Sequence, residues 1–154
     1  MPALSNQFRN LYIDWLFRGQ ALPINGVTLP AGSGPATLYF GLFATNPTQT
    51  TNGVEVGVPD YARAPIVSSL ANWAGTNGVG SAALSTGTSG QTSNNIEVVF
   101  PTPGNWGTVV GIGLFDAATG GVCLYYNPLP VPRSVISASV PPVIPAGHFI
   151  LNFK

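Results

Sequence analysis

Residues 106–127, WGTVVGIGLFDAATGGVCLYYN, carry the clearest β-hairpin pattern in the chain. Their first half alternates two sets of side chains, as a strand with two distinct faces would. The connection at 116–121, DAATGG, ends in two glycines, which is typical of a hairpin turn. Gly111 and Gly113 predict a bulge or the close approach of a neighbour. The segment therefore predicts two antiparallel strands, at 106–115 and 122–127.

Similar short segments lie on both sides of this hairpin. Residues 36–45, ATLYFGLFAT, are apolar on both faces and predict a central strand. A Pro-rich crossing, 128–133, precedes another strand, and 74–93 is a long Gly/Ser/Thr loop. Short strands separated by frequent turns favour an all-β fold, an antiparallel β-sandwich or jelly-roll-like domain. The remaining strands are predicted at 61–69, 95–100, 134–140 and 148–153.

The N-terminal segment predicts the one amphipathic helix, over 5–18, with Ser5 as its N-cap and Gly19 just beyond its end. Asp14 and Arg18 have the i,i+4 spacing of an ion pair. A Pro/Gly-rich arm follows, with a hairpin predicted at Asn25-Gly26, so we divide the chain into 1–35 and a β-domain at 36–154 within one structural unit. The apolar face of the helix either closes the core of the domain or contacts a partner; it comprises Phe8, Leu11, Tyr12, Trp15 and Leu16, widened by Ile13 and Phe17.

Charge is scarce in this chain of 154 residues. Lys+Arg and Asp+Glu number five each, and charged residues make up 6%, against about 25% in an average soluble domain. No basic patch exists to bind nucleic acid, and no apolar run is long enough to span a membrane. A surface so poor in charge favours a protein that is covered by copies of itself or by other proteins.

Chemistry-bearing residues are few and scattered. His148 is the only imidazole and Cys123 the only thiol, and neither has a neighbour in sequence that would activate it. The five carboxylates show no spacing typical of a glycosidase or a metal loop. We therefore predict a protein that is not an enzyme and that needs no cofactor and no metal.

Two hypotheses concern individual side chains. Arg63 lies in an apolar strand and needs an anionic partner if it is buried, for which Glu97 and Asp116 are the candidates. Trp73, directly before the 74–93 loop, is the candidate aromatic platform for a glycan. The candidate interface with partners comprises Phe8, Leu11, Tyr12, Trp15, Phe17, Trp73, Pro128, Pro130 and Pro132.

The order of several segments resembles a known family. These segments are 38–47 (LYFGLFATNP), 61–63 (YAR), 93–96 (SNNI), 105–109 (NWGTV), 113–121 (GLFDAATGG) and the end of the helix at 17–20 (FRGQ). Together they are similar to small virion structural proteins of tailed bacteriophages, described as tail-fibre-like, minor tail or decoration proteins. Residues 23–34 and 141–147 depart from the pattern. The resemblance implies no catalytic residues and implies synthesis in the cytoplasm of a host bacterium, followed by assembly into the virion.

The sequence thus predicts a non-enzymatic structural protein of a phage virion. Our first interpretation is a capsid decoration, or cement, protein that forms homo-oligomers and binds the major capsid protein. A tail- or fibre-associated component is the alternative, with host-glycan binding as a further option. An assembly factor that leaves before maturation is the third.

Overall fold

A computed structural model describes residues 4–136 and 140–153, and in these residues one helix precedes eleven strands. The described chain is therefore all-β with an N-terminal helix, and its main sheet is antiparallel, which confirms the predicted class. The elements are α1 (Asn6–Arg18), β1 (Leu22–Ile24), β2 (Val27–Leu29), β3 (Thr37–Thr45), β4 (Val54–Glu55), β5 (Ala64–Val67), β6 (Gln91–Ser93), β7 (Val98–Val99), β8 (Gly107–Phe115), β9 (Cys123–Val135), β10 (Val143–Ile144) and β11 (Ile150–Asn152).

The chain forms two compact units. Unit 1 combines Met1–Ala36, Val67–Glu97 and Ile144–Lys154, and unit 2 combines Thr37–Ile66 and Val98–Val143. The first segment of unit 1 ends beside the predicted boundary at 35/36. Residues of the predicted 36–154 domain are shared between both units, and its behaviour as one structural unit stays a prediction.

Helix α1 begins and ends as predicted. The Ser5 hydroxyl accepts a hydrogen bond from the Phe8 amide at 3.2 Å, and Gly19 closes the helix with a left-handed φ of 68°. The buried face, however, is centred on Ile13 and Phe17, because the Phe17 ring packs 4.9 Å from that of Trp73. The helix therefore closes the core of unit 1 with Ile13, Leu16 and Phe17, at one margin of the predicted apolar face, and the other residues of that face are half-buried.

The predicted Asp14–Arg18 ion pair forms at 2.6 Å and is buried. Arg18 also donates from Nε to the Trp73 carbonyl and from Nη2 to the Ala83 carbonyl, at 3.0 and 2.7 Å. The Asp14 carboxylate accepts from the Ser85 amide and hydroxyl, at 2.9 and 2.6 Å. The pair thus attaches the long 74–90 loop to the helix.

We expect Arg18→Met to lower the free energy of unfolding by about 3–5 kcal/mol, because it leaves the Asp14 carboxylate buried without its cation. Urea denaturation measures the change. Arg133→Met removes an exposed arginine and serves as the matched control, expected to stay within about 0.5 kcal/mol of wild type. Equal stability of the two variants would contradict the structural role of the buried pair.

Two other features of unit 1 bear on the sequence predictions. The hairpin at Asn25-Gly26 is confirmed, with Ile24 opposite Val27 and a φ of 82° at Gly26. The C-terminal strand is shorter than predicted; β11 pairs antiparallel with β6, so that Leu151 lies opposite Thr92.

Unit 2 is built on a sheet in the order β4-β3-β8-β9, with β5 also paired to β3. Strand β3 is buried on both faces, because the consecutive residues 40–43 are all buried. This confirms the prediction of a central strand for 36–45. The strands predicted at 61–69 and 95–100 are shorter, as β5 and β7; β7 pairs with β10.

The Pro-rich segment is part of a strand, which corrects the prediction of a crossing at 128–133. Strand β9 runs through all three prolines at the edge of the sheet. Its register to β8 shifts between Pro128, opposite Gly111, and Arg133, opposite Val109, so most of this stretch is a bulge. Proline is tolerated there because edge and bulge positions do not require every N–H. The predicted strand 134–140 falls partly on residues 137–139, outside the described residues.

Candidate functional site

Arg63 is the centre of a polar cluster on unit 2. Its Nε and Nη2 donate to the two carboxylate oxygens of Glu55, at 2.9 and 2.7 Å, and its side chain is only 7% exposed. This bidentate geometry is the strongest form of an arginine–carboxylate pair. The expectation of a partner is correct, but the partner is Glu55. Glu97 is exposed in unit 1, and Asp116 accepts from the Val122 amide at 2.7 Å.

The same guanidinium orders the turn between β8 and β9. Its Nη1 donates to the carbonyls of Ala117 and Gly120, at 2.6 and 2.8 Å. Its carbon lies 3.5 Å from the centre of the Phe115 ring, a cation–π contact. One side chain therefore joins the β8–β9 turn to the strand that carries Glu55.

Tyr61 extends the cluster into the sheet. Its hydroxyl donates to Glu55 Oε1 at 2.8 Å and accepts from the Leu42 amide at 2.7 Å. Burial is the main cause that raises the pKa of Tyr61 above its ordinary value, and the neighbouring Glu55 contributes. Glu55 and Tyr61 were not predicted as members of this site. The i,i+2 spacing of Tyr61 and Arg63, which places both on one face of an extended chain, was the available signal.

A pair of glycines makes room for the aromatic rings beside this cluster. Gly41 and Gly113 lie directly opposite each other in β3 and β8. A Cβ atom on Gly41 would lie 2.6 Å from the Phe115 ring and 2.8 Å from Glu55 Oε1, and one on Gly113 would lie 2.6 Å from the Phe43 ring. The predicted close approach at Gly113 is confirmed, and the approaching groups are aromatic side chains.

Gly41→Ala is expected to destabilise the protein by about 1–3 kcal/mol, since its methyl group must displace the Phe115 ring, against which the Arg63 guanidinium packs. Gly57→Ala is the matched control, because the nearest atom to a Cβ there is 3.9 Å away. Thermal unfolding followed by circular dichroism compares the two. If the melting temperature falls equally in both variants, the close packing at Gly41 has no special role.

Asp60 attaches the 101–105 turn to the same segment. Its carboxylate accepts from the Gly104 amide and from Trp106 Nε1, the latter at 3.0 Å, and the Trp106 ring packs edge-on against Tyr61 at 5.2 Å. The Gly104 hydrogen bond is the main cause that lowers the pKa of Asp60 below its ordinary value of 3.8.

Because the pKa of Asp60 is lower in the folded state, its carboxylate stabilises the fold above pH 3.8, and this contribution is lost as the pH falls through the folded pKa. We expect the melting temperature of the wild type to fall more steeply on acidification than that of Asp60→Ala. Differential scanning calorimetry between neutral pH and about one unit below the ordinary pKa measures both slopes. Parallel slopes would contradict this assignment.

Two surface depressions adjoin the ion pair. The larger, about 440 Å³, is lined by Asn52, Gly53, Glu55, Arg63, Gly121 and Val122 among others. The smaller, about 300 Å³, lies against Tyr61 and Thr119 and also touches Glu55 and Arg63. The polar cluster around Arg63 and Glu55 is therefore open to solvent at its margins.

The residues of the predicted interface fall into three groups. Phe17 and Trp73 are fully buried inside unit 1, so neither ring can contact another protein and Trp73 cannot stack on a glycan. This corrects the assignment of both residues to the interface and of Trp73 to a glycan platform. Four residues of α1 are half-buried, namely Phe8, Leu11, Tyr12 and Trp15. The three prolines of β9, Pro128, Pro130 and Pro132, are exposed.

Within residues 4–136 and 140–153, no group of three potential metal ligands occurs, and no helix has the length and apolarity needed to cross a bilayer. His148 is exposed. Cys123 is half-buried, and burial is the main cause that raises the pKa of its thiol.

Comparison with known protein families gives a match over nearly the whole chain. Residues 3–152 match the family described as podophage GP4 fiber I protein gp80. No curated protein matches the chain. The family match supports a structural protein of tailed-phage virions, as the resemblance of the sequence implies.

Proposed function

Because the chain belongs to the podophage GP4 fiber I protein gp80 family, we propose that it is a fibre- or tail-associated component of the phage virion. The family match over residues 3–152 carries this proposal. It favours the fibre alternative over capsid decoration, because the description of the family names a fiber protein. The protein acts by binding its neighbours in the particle and not by catalysis.

The surface of the protein supports an assembled role. Val122 and Val131, in and beside β9, are 59% and 63% exposed, and the three prolines of that strand are exposed as well. Exposed apolar side chains along an edge strand are available to a neighbouring protein. We propose that this strand contacts another virion protein, or a second copy of the chain, through its side chains.

The prolines also determine the kind of contact. Each lacks a backbone N–H, so a partner strand cannot form a regular ladder along residues 128–132. The strand can still bind a partner by packing of its side chains, and the fixed φ of proline reduces the conformational entropy lost on docking.

Immunogold labelling of intact virions tests the proposal. A gold-tagged antibody against the protein should label the tail or its fibres in electron micrographs. Label spread over the head would overturn the fibre assignment and support the decoration interpretation. Absence of the protein from purified particles, while it is present in infected cells, would instead support a transient assembly factor.

A further inference from the structure

The larger depression beside the Arg63–Glu55 pair has the chemistry of a ligand site. Its volume is about 440 Å³, and its lining combines a carboxylate, a guanidinium and the Asn52 amide with glycines and with the apolar side chains of Phe115 and Val122. Ligand sites are typically concave with a few convergent polar groups.

The ion pair keeps unused hydrogen-bonding capacity at this surface. Among the described residues, Arg63 Nη2 donates one hydrogen bond, to Glu55 Oε2 at 2.7 Å, and it has a second proton. Oε2 accepts that one bond among the described residues and has further lone pairs, whereas Oε1 already accepts from Tyr61 and Arg63. Glu55 is 25% exposed. A donor and an acceptor thus stand next to each other at the depression.

Two neighbouring hydroxyl groups match this arrangement. One hydroxyl accepts from Nη2 and the other donates to Oε2. These two atoms of the ion pair are 2.7 Å apart, a separation comparable to that of adjacent hydroxyl oxygens on a pyranose ring. The hydrogen bonds are charge-assisted and therefore stronger than those between neutral groups. The Asn52 amide, on the rim of the depression and exposed, supplies both a donor and an acceptor for a third hydroxyl.

The charge of the site selects a neutral ligand. The guanidinium and carboxylate compensate each other, and the whole chain has a net charge of zero. The carboxylate of an acidic sugar would be repelled by Glu55, because the charge of Arg63 is already compensated by its pair with Glu55.

We propose that this depression binds a neutral saccharide through a vicinal diol held by Arg63 and Glu55. This sugar site lies in unit 2 and replaces the glycan platform predicted at Trp73. It deepens the proposed fibre role and rests on that role for its biological meaning.

Titration of the ¹⁵N-labelled full chain with methyl α-glucopyranoside, α-galactopyranoside and α-mannopyranoside tests the site. We expect at least one of them to cause saturable shifts of the Asn52, Gly53 and Gly121 amides, with a dissociation constant of about 1 mM or weaker. N-acetylneuraminate, which carries a carboxylate, is expected to cause none.

Val122→Trp should weaken the binding at least about tenfold, because the indole fills the depression from an exposed position. Asn52→Trp, on the same rim, is the second variant in case the first is poorly folded. Val99→Trp is the control, since Val99 is 50% exposed and does not line the depression; its binding should equal that of wild type.

The proposal is overturned if none of the three glycosides binds, if N-acetylneuraminate binds at least as tightly, or if both depression variants bind like the control. Such a result would leave the fibre assignment intact, because gold labelling of the virion tests that separately.

Discussion

A buried guanidinium must find acceptors for its N–H groups, and this constraint organises both units of the protein. Arg18 meets it in unit 1 with Asp14 and with carbonyls of the 74–90 loop. Arg63 meets it in unit 2 with Glu55 and with the turn that follows β8. In each case one side chain holds a loop that has little apolar surface of its own. The few charges of the chain therefore serve largely as internal connections.

This use of charge has consequences for the surface. With only five basic and five acidic residues, two of them committed to the Arg63–Glu55 pair and two to Asp14–Arg18, little charge remains to keep the protein apart from its neighbours. The exposed prolines and Val131 of β9 suit a crowded assembly, since prolines at a sheet edge limit uncontrolled strand pairing. The composition suits a protein that is delivered into a particle, in agreement with its family.

The sequence predicted most of the regular elements. The α1 caps at Ser5 and Gly19, the hairpin at Asn25-Gly26 and the long strand β8 depend on residues close together in the chain, and all are confirmed. Strand β9 was divided wrongly because prolines usually end a strand. Only the position of β9 at the edge of the sheet, with a bulge against β8, makes them acceptable.

The amino-acid sequence by itself determined the all-β class, the capped helix and the family, because these follow from local periodicity, turn residues and the order of short motifs. Tertiary structure decided which side chains meet. Glu55, and not Glu97 or Asp116, became the partner of Arg63 because the turn at Ala117 and Gly120 and the Phe115 ring fix the guanidinium beside β4. It also buried Trp73 against Phe17, since the helix faces the core with Ile13, Leu16 and Phe17, at one margin of its predicted apolar face. Contacts between residues far apart in the chain depend on three-dimensional packing, which no local pattern specifies.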